Sequence, residues 1–330
     1  MPLLDARHDL AHRVEDDDAW SESYYFNAYD PPSDTGFFTR IGVRPNEGTI
    51  DVGMSLWLPN DELGEHRFVR EQHEMIDTML EVGQVRYEML EAMSGWRLTM
   101  DGEVLARPGR DRTAAQRPAN IGLDVTFDAL TPAVGVDAQD GSQRSSGAAS
   151  ATAASIGKGH LEQAGRWRGS LTIDGVRHDW RQAYGNRDKS WGPRRWGAPR
   201  MWRWFSINVG DDTHFGGIRI GTEAGELHRG WVWDGRQATS IRHWHVKTEL
   251  DDDELTHRVS HVTATDKEGR EHELRGDLLR VASLGRADGG RATVVNEGLA
   301  RWGYRGRVGF GIAEYLHQLD DDGRPVVPIE

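Results

Sequence analysis

The sequence contains no cysteine, and only four of its 40 basic residues are lysine. The absence of cysteine excludes disulfides, thiolate nucleophiles, Cys-ligated zinc and iron–sulfur clusters. It also fits a reducing cytoplasm, which is the location that we expect for this protein. The scarcity of lysine leaves arginine to carry nearly all of the positive charge, and we attribute this bias to genome base composition.

The chain also lacks long apolar segments and an excess of positive charge. Its mean hydropathy is −0.66, and no apolar run approaches the roughly 20 residues that a membrane-spanning helix needs. The opening residues, MPLLDARHDLAHRVEDDD, contain no apolar stretch of the kind found in secretion signals. The formal net charge of −13 opposes nonspecific binding to phosphate backbones. We therefore expect neither stable membrane insertion nor a nucleic-acid partner.

Helical periodicity is scarce as well, and short alternating runs dominate the sequence. The best helix candidate spans Phe68 to Met93, and even this segment reads partly as strand. Elsewhere apolar and polar residues alternate between turn signals, as they do in RWRGSLTIDGVRHDW. Asp-Gly pairs at 101–102, 174–175 and 234–235 are favoured two-residue hairpin turns. The pattern predicts an all-β protein with few helices, built from antiparallel sandwiches or barrels.

The length of 330 residues fits two β domains. We place the first at residues 1–195 and the second at 196–330, where a run of hairpins continues to the C-terminus. Residues 138–157 are small and polar without a period, which predicts a flexible loop within the first domain. A linker between domains is the alternative for this segment.

One hairpin can be worked out in detail. If Asp174-Gly175 forms a type I′ turn, Leu171 faces His178 and Trp167 faces Gln182, with Trp180 on the same side. The other side is polar, so His178 is predicted to point inward. The alternatives are a core histidine bonded to a backbone carbonyl and a polar group in a ligand cavity.

The strand of His178 leads into GNRDKSWGPRRWG at residues 185–197, which mixes charged residues, tryptophans and glycines. Asp188 there, between Arg187 and Arg194 in sequence, is either a structural tie or, if buried in a cavity, a general acid or base. Trp191 and Trp196 are candidates for the lining of a pocket. The next strand adds further aromatic candidates, which are either core residues or a cradle for a carbocation: Trp202, Trp204 and Phe205.

A compact aromatic run lies near the N-terminus, in WSESYYFNAYDPP. Its Glu22, Tyr24, Tyr25 and Tyr29 provide a carboxylate and hydroxyl groups that can donate or orient protons in a pocket. The competing interpretation is an edge strand that closes a barrel.

Other cofactor and metal signatures are weak. His243 and His245 share a strand face and are a candidate metal pair, but Lys247 and Glu249 on the same face favour solvent exposure. The sequence has no P-loop, GxSxG or HExxH motif and no βαβ pattern for a dinucleotide. We therefore expect no metal and no cofactor.

Four segments together resemble a known superfamily over residues 20 to 318: WSESYYFNAYD, HLEQAGRWRGSLTIDG, GNRDKSWGPRRWG and GRVGFGIAEY. They are similar to the carotenoid 1,2-hydratase (hydroxyneurosporene synthase) superfamily, with tocopherol cyclase and fungal decalin-forming Diels–Alderases among its relatives. The residues that match its motif and the preceding strand are Asp188, Ser190, Trp191, Gly192 and Arg194, with Glu162 and Gln163.

The resemblance implies two lipocalin-like β-barrels packed together, with a ligand site at or near their interface. It also implies cofactor-free hydration, dehydration or cyclisation of a hydrophobic isoprenoid or polyketide. Such chemistry needs an acid and a base. The candidate acids are Asp188 and Glu162, and the candidate bases are His178 and a tyrosine. The rival hypothesis is a lipocalin-like binding protein without catalysis, and a third is that the motif is only a structural seam.

Overall fold

The computed structural model describes residues 3–109, 113–138, 157–223, 225–288 and 291–330. Strands dominate them, which confirms the predicted all-β class. The helices in these ranges are two short 3₁₀ turns, Ala6–His8 and Pro59–Asp61. None of the described helices is long and apolar enough to cross a membrane.

The chain divides into two compact units. The first unit combines Pro2–Val136 with Gly159–Pro193, and the second contains Arg194–Glu330 together with Asp137–Lys158. The domain boundary that we predict at residue 195 lies close to this division. Residues 139–156 of the predicted flexible loop lie outside the described residues.

The first unit is an antiparallel sheet of eleven strands. They are β1 Trp20–Asp30, β2 Thr35–Arg44, β3 Thr49–Leu58, β4 Glu62–Glu71, β5 Met79–Val82, β6 Val85–Glu91, β7 Gly95–Pro108, β8 Arg117–Ala129, β9 Val134–Asp137, β10 Gly159–Ile173 and β11 Val176–Pro193. The order is β4-β3-β2-β1-β11-β10-β8-β7-β6-β5, with β9 on β10, and β4 also pairs with β7. This extra pairing curls the sheet back on itself around an aromatic core.

The core of this first sheet is built from rings that meet edge to face. Phe26 on β1 lies with its ring centroid 5.1 Å from Tyr87 and 5.9 Å from Trp167, and Phe37 approaches Trp167 at 5.3 Å. All four side chains are nearly fully buried. Tilted and edge-on contacts of this kind stabilise aromatic cores beyond the area they bury.

The second unit is a closed barrel of eight strands joined in sequence order. They are β12 Met201–Asn208, β13 His214–Thr222, β14 Gly225–Trp233, β15 Ala238–Leu250, β16 His257–Asp266, β17 Glu271–Asp288, β18 Arg291–Tyr304 and β19 Arg307–Gln318. The interior is filled by Phe205, Trp244, Trp302 and Tyr315 among others. A closed barrel leaves no free sheet edge.

Some turn and helix predictions are wrong. The segment from Phe68 to Met93 forms no helix and contains β5 and β6 instead. Asp101-Gly102 is not a turn, because β7 runs straight through it and pairs there with Gly122 and Ile121. Asp234 begins a four-residue connection between β14 and β15 rather than a two-residue turn.

The predicted hairpin is confirmed near its turn. Asp174 and Gly175 have positive φ of 49° and 85°, as a type I′ turn requires, and Leu171 pairs with His178. Further along, Trp167 pairs with Ala183 instead of Gln182. A β-bulge accommodates the extra residue there.

The barrel interior contains two buried histidines whose neutral form is stabilised by burial. Burial lowers the pKa of His257 to about 3 and the pKa of His317 to about 2. In the unfolded chain both titrate near 6.5. Below that pH the unfolded state therefore binds protons that the folded state does not, so acid destabilises the fold.

We expect each of these histidines to remove about 1.4 kcal/mol of unfolding free energy per pH unit as the pH falls below about 6.5. Urea unfolding of wild type and His317→Gln between neutral and mildly acidic pH measures this slope. The variant should lose less stability on acidification than wild type. The exposed His245→Gln serves as control and should behave as wild type. Equal acid sensitivity in all three proteins would contradict the prediction.

Candidate active site on the first unit

Strands β1, β11 and β10 lie side by side, and their register sorts the residues of the GNRDKSWGPRRWG segment onto two faces. Asp188 pairs with Tyr25 on β1 and with Glu162 on β10. Lys189, one residue on, pairs with Tyr24 and Leu161. Because side chains alternate along a strand, Arg187, Lys189 and Trp191 share one face, and Asp188 and Ser190 share the other.

The first face carries a buried network of charges that we call the clamp: Asp9, His12, Glu22, Arg187 and Lys189. Arg187 binds Asp9 through both terminal nitrogens, and Lys189 Nζ lies 2.8 Å from Glu22 Oε1. His12 contributes its Nδ1, 2.9 Å from Glu22 Oε1, and its backbone N–H donates to the other carboxylate oxygen at 2.9 Å. The clamp thus ties the N-terminal segment to the sheet.

The pKa shifts and the burial of Glu22 and Lys189 agree with a structural role for the clamp. Burial raises the pKa of Glu22, but Lys189 and His12 outweigh it, so the net pKa is lowered. Burial lowers the pKa of Lys189 in spite of the attraction of Glu22. Both side chains are almost inaccessible to solvent, at 0% and 2% exposure. These charges neutralise each other and have little access to a substrate.

Two of the predicted site residues, Tyr24 and Trp191, lie on the same sheet face as the clamp. The Tyr24 ring lies 4.8 Å below Lys189 Nζ, and burial followed by Glu22 raises its pKa well above the ordinary value. Trp191 stacks on His12 with ring centroids 3.8 Å apart. Tyr24 and Trp191 are therefore on the opposite sheet face from Asp188.

The second face brings together His160, Glu162 and Asp188, which we call the His160 triad. His160 Nε2 is hydrogen-bonded to Asp188 Oδ2, and it lies 3.8 Å from Glu162 Oε1. The side chains of His160 and Asp188 are 29% and 16% exposed, whereas Glu162 is 1% exposed. An imidazole and a carboxyl group in contact, both accessible, can exchange a proton with a bound molecule.

Neighbouring side chains on this face are polar and aromatic. Tyr25 pairs in register with both Asp188 and Arg40, and its ring lies 6.5 Å from Phe38. Arg40 donates from Nε to Ser23 Oγ at 2.6 Å, and its buried Nη2 has no hydrogen-bond acceptor among the described residues. Burial lowers the pKa of Arg40. The His160 triad thus lies beside an aromatic pair and a half-buried arginine whose Nη1 pairs with Asp51 at 3.0 Å.

The His160 triad could also hold a metal ion. Among the described residues, it is the group of histidine and acidic side chains that lie close enough together to share one. One donor atom from each residue lies within 4.8 Å of the others. One imidazole and two carboxylates suit a divalent cation of the first transition row. His243 and His245 join no such group in the described part of the chain.

The structure separates some of the other predicted site residues from Asp188. His178 lies on the same strand ten residues away, about 33 Å at the usual rise per residue. It is only half-buried, because the pairing of β11 with β1 ends at Tyr184, and the next residue on its face, Val176, is 61% exposed. A shared site for His178 and Asp188 is therefore wrong. The interpretation of β1 as an edge strand is also wrong, since β1 pairs with both β2 and β11.

The remaining predicted residues belong to the second unit. The Arg194 guanidinium lies 5.4 Å from the Trp196 ring, and Trp196 is 5.7 Å from Trp202. Trp202 and Trp204 share a face of β12, as predicted. Phe205 points the other way, into the barrel core, and its role in a substrate pocket stays a prediction.

Sequence reasoning missed His160 and Arg40. His160 and Glu162 are two residues apart on a strand, a spacing that places them on one face. That signal was available in HLEQ, but only the pairing of β10 with β11 brings it to Asp188. Arg40 reaches Tyr25 through the pairing of β1 with β2, which the sequence does not specify.

The two-unit β architecture is shared with solved structures. An AttH candidate from Nitrosomonas europaea has a TM-score of 0.63 at 14% identity, with 90% of this chain and 92% of that chain covered. CghA with Sch210972 has a TM-score of 0.55 at 10% identity, covering 90% and 87%. Kievitone hydratase from Nectria haematococca has a TM-score of 0.54 at 14% identity, covering 89% and 88%. At such identities the similarity establishes the fold.

The family itself follows from the sequence. Residues 5–319 match the family model described as Domain of unknown function (DUF7064), so the chain belongs to that family. No curated protein matches the chain. The narrower relationship to carotenoid 1,2-hydratases stays a prediction.

Proposed function

We propose that the protein is a cofactor-independent acid–base enzyme, a hydratase, dehydratase or cyclase, that acts on a hydrophobic terpenoid-like or polyketide-like molecule. The observation that carries the proposal is the contact between His160 and Asp188 on an accessible sheet face. Support also comes from the fold, because one similar structure is a hydratase. Acid–base chemistry requires a proton donor and acceptor of this kind within hydrogen-bond reach.

Each member of the His160 triad has a role in the proposal. Asp188 and His160 are the accessible pair that gives a proton to, and takes a proton from, the reacting carbon or water. Glu162 is nearly inaccessible, at 1% exposure, and acts as a positioning residue for His160. In hydration the pair protonates one alkene carbon and deprotonates the water that adds to the other. In cyclisation the same proton transfer occurs without added water.

Tyr25 and Phe38 are the aromatic groups beside the triad in this proposal. Their rings lie 6.5 Å apart and nearly parallel. Aromatic faces stabilise developing positive charge and exclude water from a reacting alkene. A hydrophobic alkene substrate fits these surroundings, and the charged clamp on the other face does not contribute to its binding.

The proposal is tested by incubating the purified protein with a panel of prenylated phenols, acyclic isoprenoids and polyene polyketides in heavy-oxygen water. Hydration gives a product that carries the heavy oxygen, and cyclisation gives an isomer of unchanged mass. Capture of a panel compound without any product would instead support the rival function, a non-catalytic binding protein. Full turnover by a variant that lacks both Asp188 and His160 side chains would contradict the assigned site.

Chelation separates proton transfer from metal chemistry at the same residues. We expect treatment with EDTA to leave turnover unchanged, because the proposed steps need only the side chains of the triad. Turnover of the treated and untreated protein is compared on the same substrate. Loss of activity that manganese or zinc restores, and that His160→Gln abolishes, would make the triad a metal centre.

A further inference from the structure

A row of polar side chains crosses the interior of the second unit's barrel. The register pairs His228 with Arg219, Arg219 with Arg203, Arg203 with Tyr315, and Tyr315 with Asn296. Directly paired residues share a sheet face. Because Tyr315 belongs to the interior core, the whole row faces inward. We call these five residues the polar belt.

Arg203 in the polar belt is a buried cation that forms no ion pair with any described residue. It is 4% exposed, and its Nη1 donates to the backbone oxygens of Trp202 at 2.7 Å and Leu316 at 3.4 Å. No carboxylate among the described residues forms an ion pair with it, and its other nitrogens donate to no described group. Burying a charge without a partner is unfavourable.

Arg219, the neighbour of Arg203 in the polar belt, forms ion pairs with carboxylates. Arg219 donates to Glu226 through Nε at 2.9 Å and Nη2 at 2.6 Å, and to Glu330 through Nη1 at 2.8 Å. Two carboxylates therefore form ion pairs with this arginine, whereas Arg203, directly opposite, forms none with the described residues and feels Glu226 and Glu330 only at longer range. An arginine pair facing each other across two strands is repulsive unless each charge is balanced.

Tyr315 holds Arg203 in place and connects it to further polar groups. The Arg203 guanidinium lies 4.2 Å from the Tyr315 ring centroid, and the His257 ring stacks on Tyr315 at 4.0 Å. Two groups at such distances cannot share one ring face, so Tyr315 is sandwiched between them. The Tyr315 hydroxyl bonds Thr248 at 3.0 Å and Ser260 at 2.9 Å.

Two histidines near Arg203 also have unused polar atoms. His257 Nδ1 and both ring nitrogens of His317 are buried and have no hydrogen-bond partner among the described residues. Tyr315 and His317 have ring centroids 6.1 Å apart. Because His257 Nε2 donates to the Ala313 backbone oxygen at 2.9 Å, the unpaired Nδ1 of the neutral ring is an acceptor, and a neutral His317 offers one donor and one acceptor. Buried polar atoms in native proteins are normally paired, so these three ring nitrogens indicate a polar group beside Arg203 that completes them.

A surface groove reaches two members of the polar belt, Arg219 and His228, from outside, and Arg203 lies one strand further on, paired with Arg219. It has a volume of about 640 Å³, and its walls include Arg219, His228, Trp244, Thr248 and Glu330. The Glu330 carboxylate already lies on Arg219 in this groove. A carboxylate is therefore a species that this end of the barrel accommodates, and the groove is of the size that small organic ligands occupy.

We propose that the polar belt is a binding site for the carboxylate of a small organic acid, which enters through the groove and forms its ion pair with Arg203. The planar guanidinium matches a carboxylate in shape and offers unused parallel donors. The organic part of the ligand lies in the groove, beside Trp244. Glu330 occupies the neighbouring Arg219 and competes with the ligand for the positive charge.

The test uses benzoate as the probe, titrated into the purified full-length protein by calorimetry. We expect Arg203→Met to weaken benzoate binding at least about tenfold, because a charge-assisted pair is lost. Arg258→Met, at a residue on the exposed side of β16, is the matched control and should bind as wild type. Benzamide, which has the same shape without the charge, should bind wild type at least about tenfold more weakly.

A second variant keeps the proposal testable if Arg203→Met does not fold. Glu330→Gln removes the competing carboxylate and should tighten benzoate binding severalfold without touching Arg203. Unchanged benzoate affinity in Glu330→Gln, or in a folded Arg203→Met, would overturn the proposal. So would binding of inorganic phosphate without benzoate, or no binding of benzoate up to roughly 10 mM. None of these measurements depends on catalytic turnover, so they stand apart from the function proposed for the His160 triad.

Discussion

Replacing Asp188 with asparagine is expected to lower turnover roughly 100- to 10,000-fold, the range that general acid–base groups contribute. The amide keeps the size of the side chain and a hydrogen bond to His160, but it cannot transfer the proton. Asp188 is 16% exposed and is not part of the buried clamp, so substrate binding and the unfolding midpoint should stay near wild type. Rates and dissociation constants on one identified substrate measure both effects.

Asp124 offers a matched control for this substitution. It lies on β8 of the same sheet and forms an exposed ion pair with Arg97, with N–O distances of 2.8 Å. Asp124→Asn makes the same chemical change far from the triad and should leave turnover unchanged. If Asp188→Asn lost several kcal/mol of stability and no activity relative to this control, the motif would be a structural seam.

Replacing Lys189 with methionine is expected to destabilise the protein by about 3–5 kcal/mol, because the buried Glu22 loses its lysine partner and keeps only the bonds from His12. Lys189 Nζ also donates to the backbone oxygens of His8 at 2.9 Å and Leu10 at 2.6 Å. The N-terminal segment should therefore detach early. Urea unfolding measures the loss of stability, and limited proteolysis measures the release of the segment.

A double variant separates the ion pair from simple packing. Glu22→Gln combined with Lys189→Met should recover part of the stability lost in either single variant, because no unpaired charge remains buried. The exposed pair provides the control, and Arg97→Met should change stability by less than about 1 kcal/mol. Strictly additive losses from Glu22 and Lys189 would show that the clamp does not act as a unit.

The fold class was predictable because it depends on local patterns. Alternation and turn residues repeat along nearly the whole chain, and the Asp174-Gly175 turn defined its own hairpin register as far as Gly169 and Trp180. The register failed where a bulge adds a residue, opposite a glycine with φ of 134°. A bulge depends on how three strands twist together, which no local pattern records.

Asp-Gly pairs show the same limit. Only the pair at 174–175 forms the two-residue turn, while the pair at 101–102 lies inside β7. Pairing of β7 with β8 continues past Asp101 and overrides the local turn preference. Tertiary pairing of this kind can override even a favoured local turn signal.

For the candidate site, the sequence identified Asp188 and Glu162 but not their partner. Their neighbourhood depends on the pairing of β10 with β11, two strands joined by the predicted hairpin, so His160 follows once the register is extended past the bulge. The clamp could not be predicted, because Asp9 and His12 come from a segment with little regular structure. His178 was misplaced because the sequence did not show that β11 runs unbroken from Val176 to Pro193, which puts ten residues of extended strand between His178 and Asp188.

The two faces of β11 also explain why the GNRDKSWGPRRWG segment combines so many charges. Arg187 forms an ion pair with the buried carboxylate of Asp9, and Lys189 forms one with the buried carboxylate of Glu22. Asp188, between them in sequence, faces the other way and meets His160. A single strand therefore carries structural and candidate catalytic residues in alternate positions.

The measurement that tests proton transfer at His160 and Asp188 most directly is solvent deuterium incorporation during turnover in heavy water. In hydration or cyclisation, product formed by the wild-type protein should carry one carbon-bound deuterium delivered from the triad, and in dehydration the reverse reaction should place that deuterium in the recovered substrate. His160→Gln and Asp188→Asn should form this labelled product at strongly reduced rates, and Asp124→Asn should form it at the wild-type rate. Rapid hydration or cyclisation without solvent deuterium in the product, or equal rates in all four proteins, would contradict proton transfer by the His160 triad.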